Sequence, residues 1–191
     1  AELVDLHFTA DGRPVAWVRD PVEVYAFHLV LPEGAREVVG RFIHTSPLQP
    51  SEGRITMTQE MLNLQWEAMS LYPAGHYVRR IRVKPGVTFP AGWSVATALD
   101  GRQTNGDRIG WAEVDYETLV DSPIFAGRYF RRWNLGGNVA LDVVADAPEQ
   151  LEAKPEQIAA YARLAEQARI VFDSRHYDHY DFLLALTDRM G

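Results

Sequence analysis

The sequence predicts a mostly β protein. A two-sheet antiparallel β-sandwich is expected over residues 1–150. Residues 151–191 are expected to add a C-terminal α-helix and a short strand from the start of a next domain. Three observations carry this reading. Apolar and polar residues alternate with period two through most of the first 145 positions. Turn signals separate roughly ten such runs at spacings of about 8–14 residues, the rhythm of a two-sheet sandwich. No helical periodicity appears before Pro155, so the interleaved helices of a parallel α/β sheet are missing.

In chain order, Leu6 and Phe8 alternate with polar neighbours up to the turn Ala10-Asp11-Gly12. Val15 and Trp17, then Val22, Val24 and Ala26, continue the period of two before the turn Pro32-Glu33-Gly34. Val38–Ile43 makes another strand, and a polar loop follows from Thr45 to Gly53. Leu62, Leu64 and Trp66 are expected on one face, with Asn63, Gln65 and Glu67 on the other. Tyr77–Val83 alternates with Arg80 and Arg82 towards solvent, Pro85-Gly86 turns, and Trp93–Leu99 is a more apolar strand. Asp100-Gly101 and Asn105-Gly106 are turn dipeptides. Tyr129–Trp133 and Val139–Val144 flank Gly136-Gly137-Asn138 as a hairpin. Asp146–Lys154, rich in Pro, Ala and Glu, is the domain boundary.

Pro155 suits a first helical position, where the missing N–H costs nothing. Ile158, Tyr161, Ala162, Leu164, Ala165, Ala168 and Val171 then recur at helical spacing. After the break at Asp173-Ser174, Tyr180–Leu186 reads as a short buried strand. A domain seldom stops beside an apolar strand with nothing to cover it. The sequence is therefore expected to be a fragment whose last strand lacks its sheet and packs incompletely.

Composition bounds the function. With 47% hydrophobic and 24% charged residues the chain can build a real core. A net charge of −7 argues against nucleic acid or an anionic membrane as partner. The absence of cysteine excludes disulfides and thiolate metal sites. No apolar run is long enough to span a bilayer.

The candidate chemistry is thin. A zinc-peptidase motif needs two His one helical turn apart with a Glu between, and none of the six His has that spacing. His176 and His179 are the one close pair, with Asp178 and Asp181 nearby, and they read as structural. Asp121-Ser122-Pro123 lacks a placed base and reads as a turn. Asp115, Glu117 and Asp121 lack calcium-loop spacing and read as an exposed edge. The Arg79–Lys84 and Arg128–Arg132 clusters, flanked by Tyr77, Tyr129, Phe130 and Trp133, sit in an acidic chain and read as solvated faces. Trp17, Trp66, Trp93, Trp111 and Trp133 could stack on sugars but are plausible core residues. No Gly-rich phosphate loop exists. No catalytic, cofactor-binding or metal-binding residue is assigned in this chain.

Three stretches carry a resemblance. DHYDFLLALTDRMG (Asp178–Gly191) looks like the segment that opens the catalytic domain in the glycyl aminopeptidases, family sixty-one of the metallopeptidases. LYPAGH (Leu71–His76) followed by FPAGWSVATAL (Phe89–Leu99) is similar to that family, as is YETLVDSPIFAG (Tyr116–Gly127). The order is right and the coverage runs from about Leu71 onward. His176-Tyr177 departs from the Pro-Phe that members often carry there. The resemblance implies an N-terminal β domain of a zinc aminopeptidase of the HExxH type, whose parent carries a thermolysin-like catalytic domain and a PDZ domain. It implies a non-catalytic chain that helps shape the substrate cleft, with zinc only in the parent. The implied partners are the parent's own catalytic domain and its peptide substrates, and the implied location is exported or periplasmic. The open apolar strand adds a possible dimer. A stand-alone β-sandwich that binds carbohydrate or peptide is the alternative.

Overall fold

The structure, a computed structural model, describes residues 3–190 and divides into two units, Ala1–Ser46 and Pro47–Gly191. The first unit holds β1 (Leu3–Ala10), β2 (Arg13–Pro14), β3 (Trp17–Arg19), β4 (Phe27–Leu29) and β5 (Val38–His44). β1 lies between β2 and β5, and β3 pairs with β4 as a separate ribbon. Phe8, Trp17 and Phe27 form its aromatic centre, Phe8 and Phe27 each meeting Trp17 edge-on at 6.1 and 5.6 Å. Gly40 makes room for this cluster, since a Cβ there would lie 2.9 Å from the Phe8 ring.

The strand expected through Val22, Val24 and Ala26 is a turn instead. The Asp20 carboxylate accepts the N–H groups of Val22 and Glu23 at 2.8 Å each and meets His28 Nε2 at 2.7 Å. Local side-chain bonds of this kind outcompete a ladder. The His28 contact, with help from the two N–H groups, holds the Asp20 carboxyl down at about 2.

The second unit contains β6 (Met61–Leu64), α1 (Trp66–Met69), β7 (Arg82–Val83), β8 (Gly86–Thr88), β9 (Ser94–Ala96) and β10 (Gln103–Asn105). These are followed by β11 (Arg108–Gly110), β12 (Val114–Asp115), α2 (Tyr116–Val120) and β13 (Ile124–Gly127). β14 (Tyr129–Gly136), β15 (Val139–Ala145), α3 (Pro155–Phe172) and β16 (Tyr180–Leu186) complete it. The sheet orders are β6-β13-β9, β10-β11-β8, β12-β7 and β14-β15-β16. The predicted class is the one observed: mostly β, largely antiparallel, with a C-terminal helix and then a strand.

Several local expectations need correction. Two short helices precede Pro155. The Asp115 carboxylate accepts the Thr118 N–H at 2.9 Å, capping α2 where an exposed edge was expected. Arg80 lies in a 3-10 turn, Val78–Arg80, not in a strand. Asn63 is buried rather than solvent-facing, and its Oδ1 accepts from Gln65 Nε2 at 2.6 Å.

The core gathers Leu64, Trp66, Phe89, Trp111, Leu119 and Ile124, among others. β14 and β15 meet at Gly136-Gly137-Asn138, whose φ values of 86°, 57° and 59° are those a tight hairpin asks of Gly and Asn.

α3 begins at Pro155, where Gln157 Oε1 accepts the Lys154 N–H at 2.8 Å, half of a capping box. It ends at Asp173 in the left-handed region, at the predicted break. β16 then runs parallel to β15, in register from Val139↔Tyr180 to Ala145↔Leu186. The strand expected to lack its sheet has a partner along its whole length, because α3 serves as the crossover of a βαβ unit.

Candidate functional site

Most of the side chains considered for chemistry prove to be engaged in architecture. Ser122 is buried and its Oγ donates to the Thr118 carbonyl at 2.7 Å. Its own carbonyl accepts Trp66 Nε1 at 2.9 Å and Thr97 Oγ1 at 3.3 Å, locking three elements together. A hydroxyl so committed has no base beside it to make it a nucleophile.

Asp115, Glu117 and Asp121 do not converge. Asp115 caps α2, while Glu117 pairs with Arg79, whose Nη2 donates to Oε1 at 3.0 Å. The Thr118 hydrogen bonds hold the Asp115 carboxyl below its usual range, and the Arg79 contact does the same for Glu117.

Arg79, Arg82, Arg128 and Arg132 of the basic clusters are each paired with a carboxylate. Arg82 meets Glu113 at 3.0 Å, and Arg128 meets Glu60 at 3.3 Å. Arg131 lies over the Trp133 ring at 4.8 Å. Trp66 and Trp111 are buried, and Trp93 packs against the core.

His176 and His179 do not form a site together. His176 lies in the exposed loop before β16, 3.4 Å from Ser174 Oγ. His179 points to carboxylates instead: Nδ1 lies 2.7 Å from Asp181 Oδ2 and Nε2 lies 3.2 Å from Asp100 Oδ1. Among the described residues no group of three His, Cys, Asp or Glu is placed to hold a metal ion. Nor is any of their helices long and apolar enough to cross a membrane.

A cleft of about 200 Å³ lies between the β14–β15 hairpin and α3, lined by Leu135, Gly136, Ala162, Ala165, Arg169 and Arg175. Both guanidinium groups are already engaged there. Arg169 grips Glu166 through two hydrogen bonds, and Arg175 donates to the Gly137 carbonyl.

The densest polar constellation was not legible in the sequence. Arg132 Nη1 donates to Asp142 Oδ2 and Nη2 to Asp181 Oδ1, both at 2.6 Å. Asp142 and Asp181 are nearly inaccessible, with side-chain exposures of 0% and 3%. Among the described residues Asp142 Oδ1 has no hydrogen-bond partner. Burial pushes the Asp142 carboxyl up to about 6, Asp181 pushes the same way, and Arg132 opposes both. The only signal in the sequence was an Asp at the centre of an apolar strand, Val139–Ala145.

The three stretches behind the family resemblance supply core and turn residues. Phe89, Val95 and Leu99 come from one, and Tyr116, Leu119, Ile124 and Ala126 from another, all buried. A family profile described as the Peptidase M61 N-terminal domain matches residues 1–128. The chain belongs to this M61 N-terminal domain family. No curated protein matches it.

Among solved structures, the M61 domain is similar to an aminopeptidase N family protein from Idiomarina loihiensis, at 16% identity and a TM-score of 0.72. That match covers 97% of this chain and 31% of the other. An M1 zinc metallopeptidase from Deinococcus radiodurans matches at 16% identity and a TM-score of 0.47, over 98% of this chain and 49% of the other. The chain thus spans a third to a half of the structures it matches. At this identity the first likeness speaks for the fold alone.

Proposed function

We propose that this M61 N-terminal domain is the non-catalytic β domain of a zinc-dependent aminopeptidase and helps to shape the rim of its substrate cleft. The observation that carries the reading is the family match over residues 1–128, in a chain whose described residues bring no three His, Cys, Asp or Glu together to hold a metal ion. Residues 1–150 form the β domain, and 151–191 begin a thermolysin-like catalytic domain joined to it through the β15–β16 ladder. The zinc ligands and the HExxH helix belong to that catalytic domain, and a PDZ domain follows. The partners are the protein's own catalytic domain and peptide substrates, and the location is exported or periplasmic.

Exposed apolar side chains support a docking role. Val171 and Phe172 on α3 are each 73% exposed, and among the described residues β16 is hydrogen-bonded to β15 on one edge only. The same open edge can pair with a second copy, giving a dimer through β16.

The reading is tested by following the reading frame past Gly191. It predicts an HExxH motif there, and hydrolysis of glycyl and alanyl substrates by the full protein. A stop codon close to Gly191, or a long frame without the motif, would remove its support.

A further inference from the structure

The chain of charged groups across β14, β15 and β16 does more than hold a sheet together. We propose that Arg132, Asp142 and Asp181 form a proton-operated latch that fastens β16 to its neighbours, closed in mild acid and loosened as the pH rises. The inference is independent of the peptidase reading.

Placement comes first. Alternation puts Arg132, Asp142 and Asp181 on one face of the sheet, opposite the face where Tyr161 of α3 meets Phe182 edge-on at 6.0 Å. The charged face is also the one that turns Val144 towards β13, where a Cβ on Gly127 would stand 3.4 Å from Val144 Cβ. Asp142 and Asp181 are themselves buried, at 0% and 3% exposure, while the Arg132 side chain that joins them is half-exposed.

Two buried acids share one cation. Arg132 spans Asp142 and Asp181 at 2.6 Å to each, so one positive charge faces two negative ones. Asp142 Oδ1 has no donor among the described residues, an arrangement that favours a proton on that carboxyl. At the entrance of β16, His179 stands between Asp181 and the turn residue Asp100, with a carboxylate oxygen at each ring nitrogen. A proton on Asp142 leaves Arg132 facing a single negative charge, so added protons tighten the latch.

The sign follows from linkage. The Asp142 carboxyl is held up at about 6 when the latch is closed and falls back towards its ordinary range when β16 opens, because Asp181 leaves with that strand. The closed form binds the proton more tightly, so its advantage is complete on the acid side and is lost as pH rises through about 6. The other charged pair along this ladder, Arg189 with Asp146 at 3.5 Å, lies at its far end.

Amide hydrogen exchange tests this directly, with protection of Phe182–Leu186 compared with that of β13 and corrected for intrinsic rates. Between about pH 5 and about pH 8 the protection of β16 should fall by up to roughly tenfold, because pH 5 lies one unit below the closed-form value of about 6. The protection of β13 should stay level. Asp142→Asn should abolish the slope and leave β16 well protected at the alkaline end. Should that variant not fold, the unmodified chain still decides the matter through its own profile and a carbon-13 titration of the Asp142 carboxyl. A flat β16 profile, an equal loss in β13, or a slope that survives in Asp142→Asn would overturn the latch.

Discussion

Trp66 is the side chain on which the second unit most visibly turns. Its ring is 9% exposed and lies in the cluster with Leu64, Phe89, Val95 and Ile124. Its Nε1 donates to the Ser122 carbonyl at 2.9 Å. A buried indole removes on the order of 200 Å² from water, which at ~25 cal/mol per Å² bounds the gain at ~5 kcal/mol. Trp66→Ala forfeits most of that and leaves a cavity, so a loss of ~3–5 kcal/mol is expected. Trp66→Phe keeps a ring and removes the donor. The abandoned carbonyl retains Thr97 Oγ1 at 3.3 Å, so this cost should stay near the low end of ~1–2 kcal/mol. Urea unfolding followed by far-ultraviolet circular dichroism is the suitable assay, because fluorescence would mix the five tryptophans. A Trp66→Ala loss below ~1 kcal/mol would refute this account of the core, as would a Phe variant as damaged as the Ala variant.

Two further outcomes follow from local geometry. Gly101 has φ +67°, and a Cβ there would lie 2.7 Å from Ala112 Cβ, so Gly101→Ala should cost ~2 kcal/mol or more in the same unfolding assay. Asp115→Ala should cost ~1 kcal/mol by removing the α2 cap. Because the Asp115 carboxyl is held below its usual range, its contribution is complete above the ordinary carboxylate pKa and is lost as pH falls through the lowered value. Stability measured against pH should therefore fall less steeply on the acid side in the variant than in the parent.

What the sequence revealed and what it hid divide along one physical line. Features decided by neighbours in the chain were readable, such as the Pro155 start of α3, its stop at Asp173 and the Gly136-Gly137-Asn138 hairpin. Features decided by distant pairing were not. Nothing in Tyr180–Leu186 says that its partner is β15 or that the pair is parallel, because both belong to the return path of α3. Arg132, Asp142 and Asp181 looked like unrelated charges until three strands brought them to one face. Asp115 and Asp20 misled the strand reading for a different reason. Each carboxylate satisfies backbone N–H groups two or three residues ahead, which ends an extended run that alternation alone would continue.

The most direct measurement of the central claim is the zinc content and peptidase activity of this chain by itself. A catalytic zinc needs three protein ligands around an open position, and the described residues bring no such set together. The chain should retain no zinc after dialysis and should leave glycyl and alanyl substrates intact, with or without added metal. Stoichiometric zinc together with turnover that His176→Ala or His179→Ala abolishes would contradict the account.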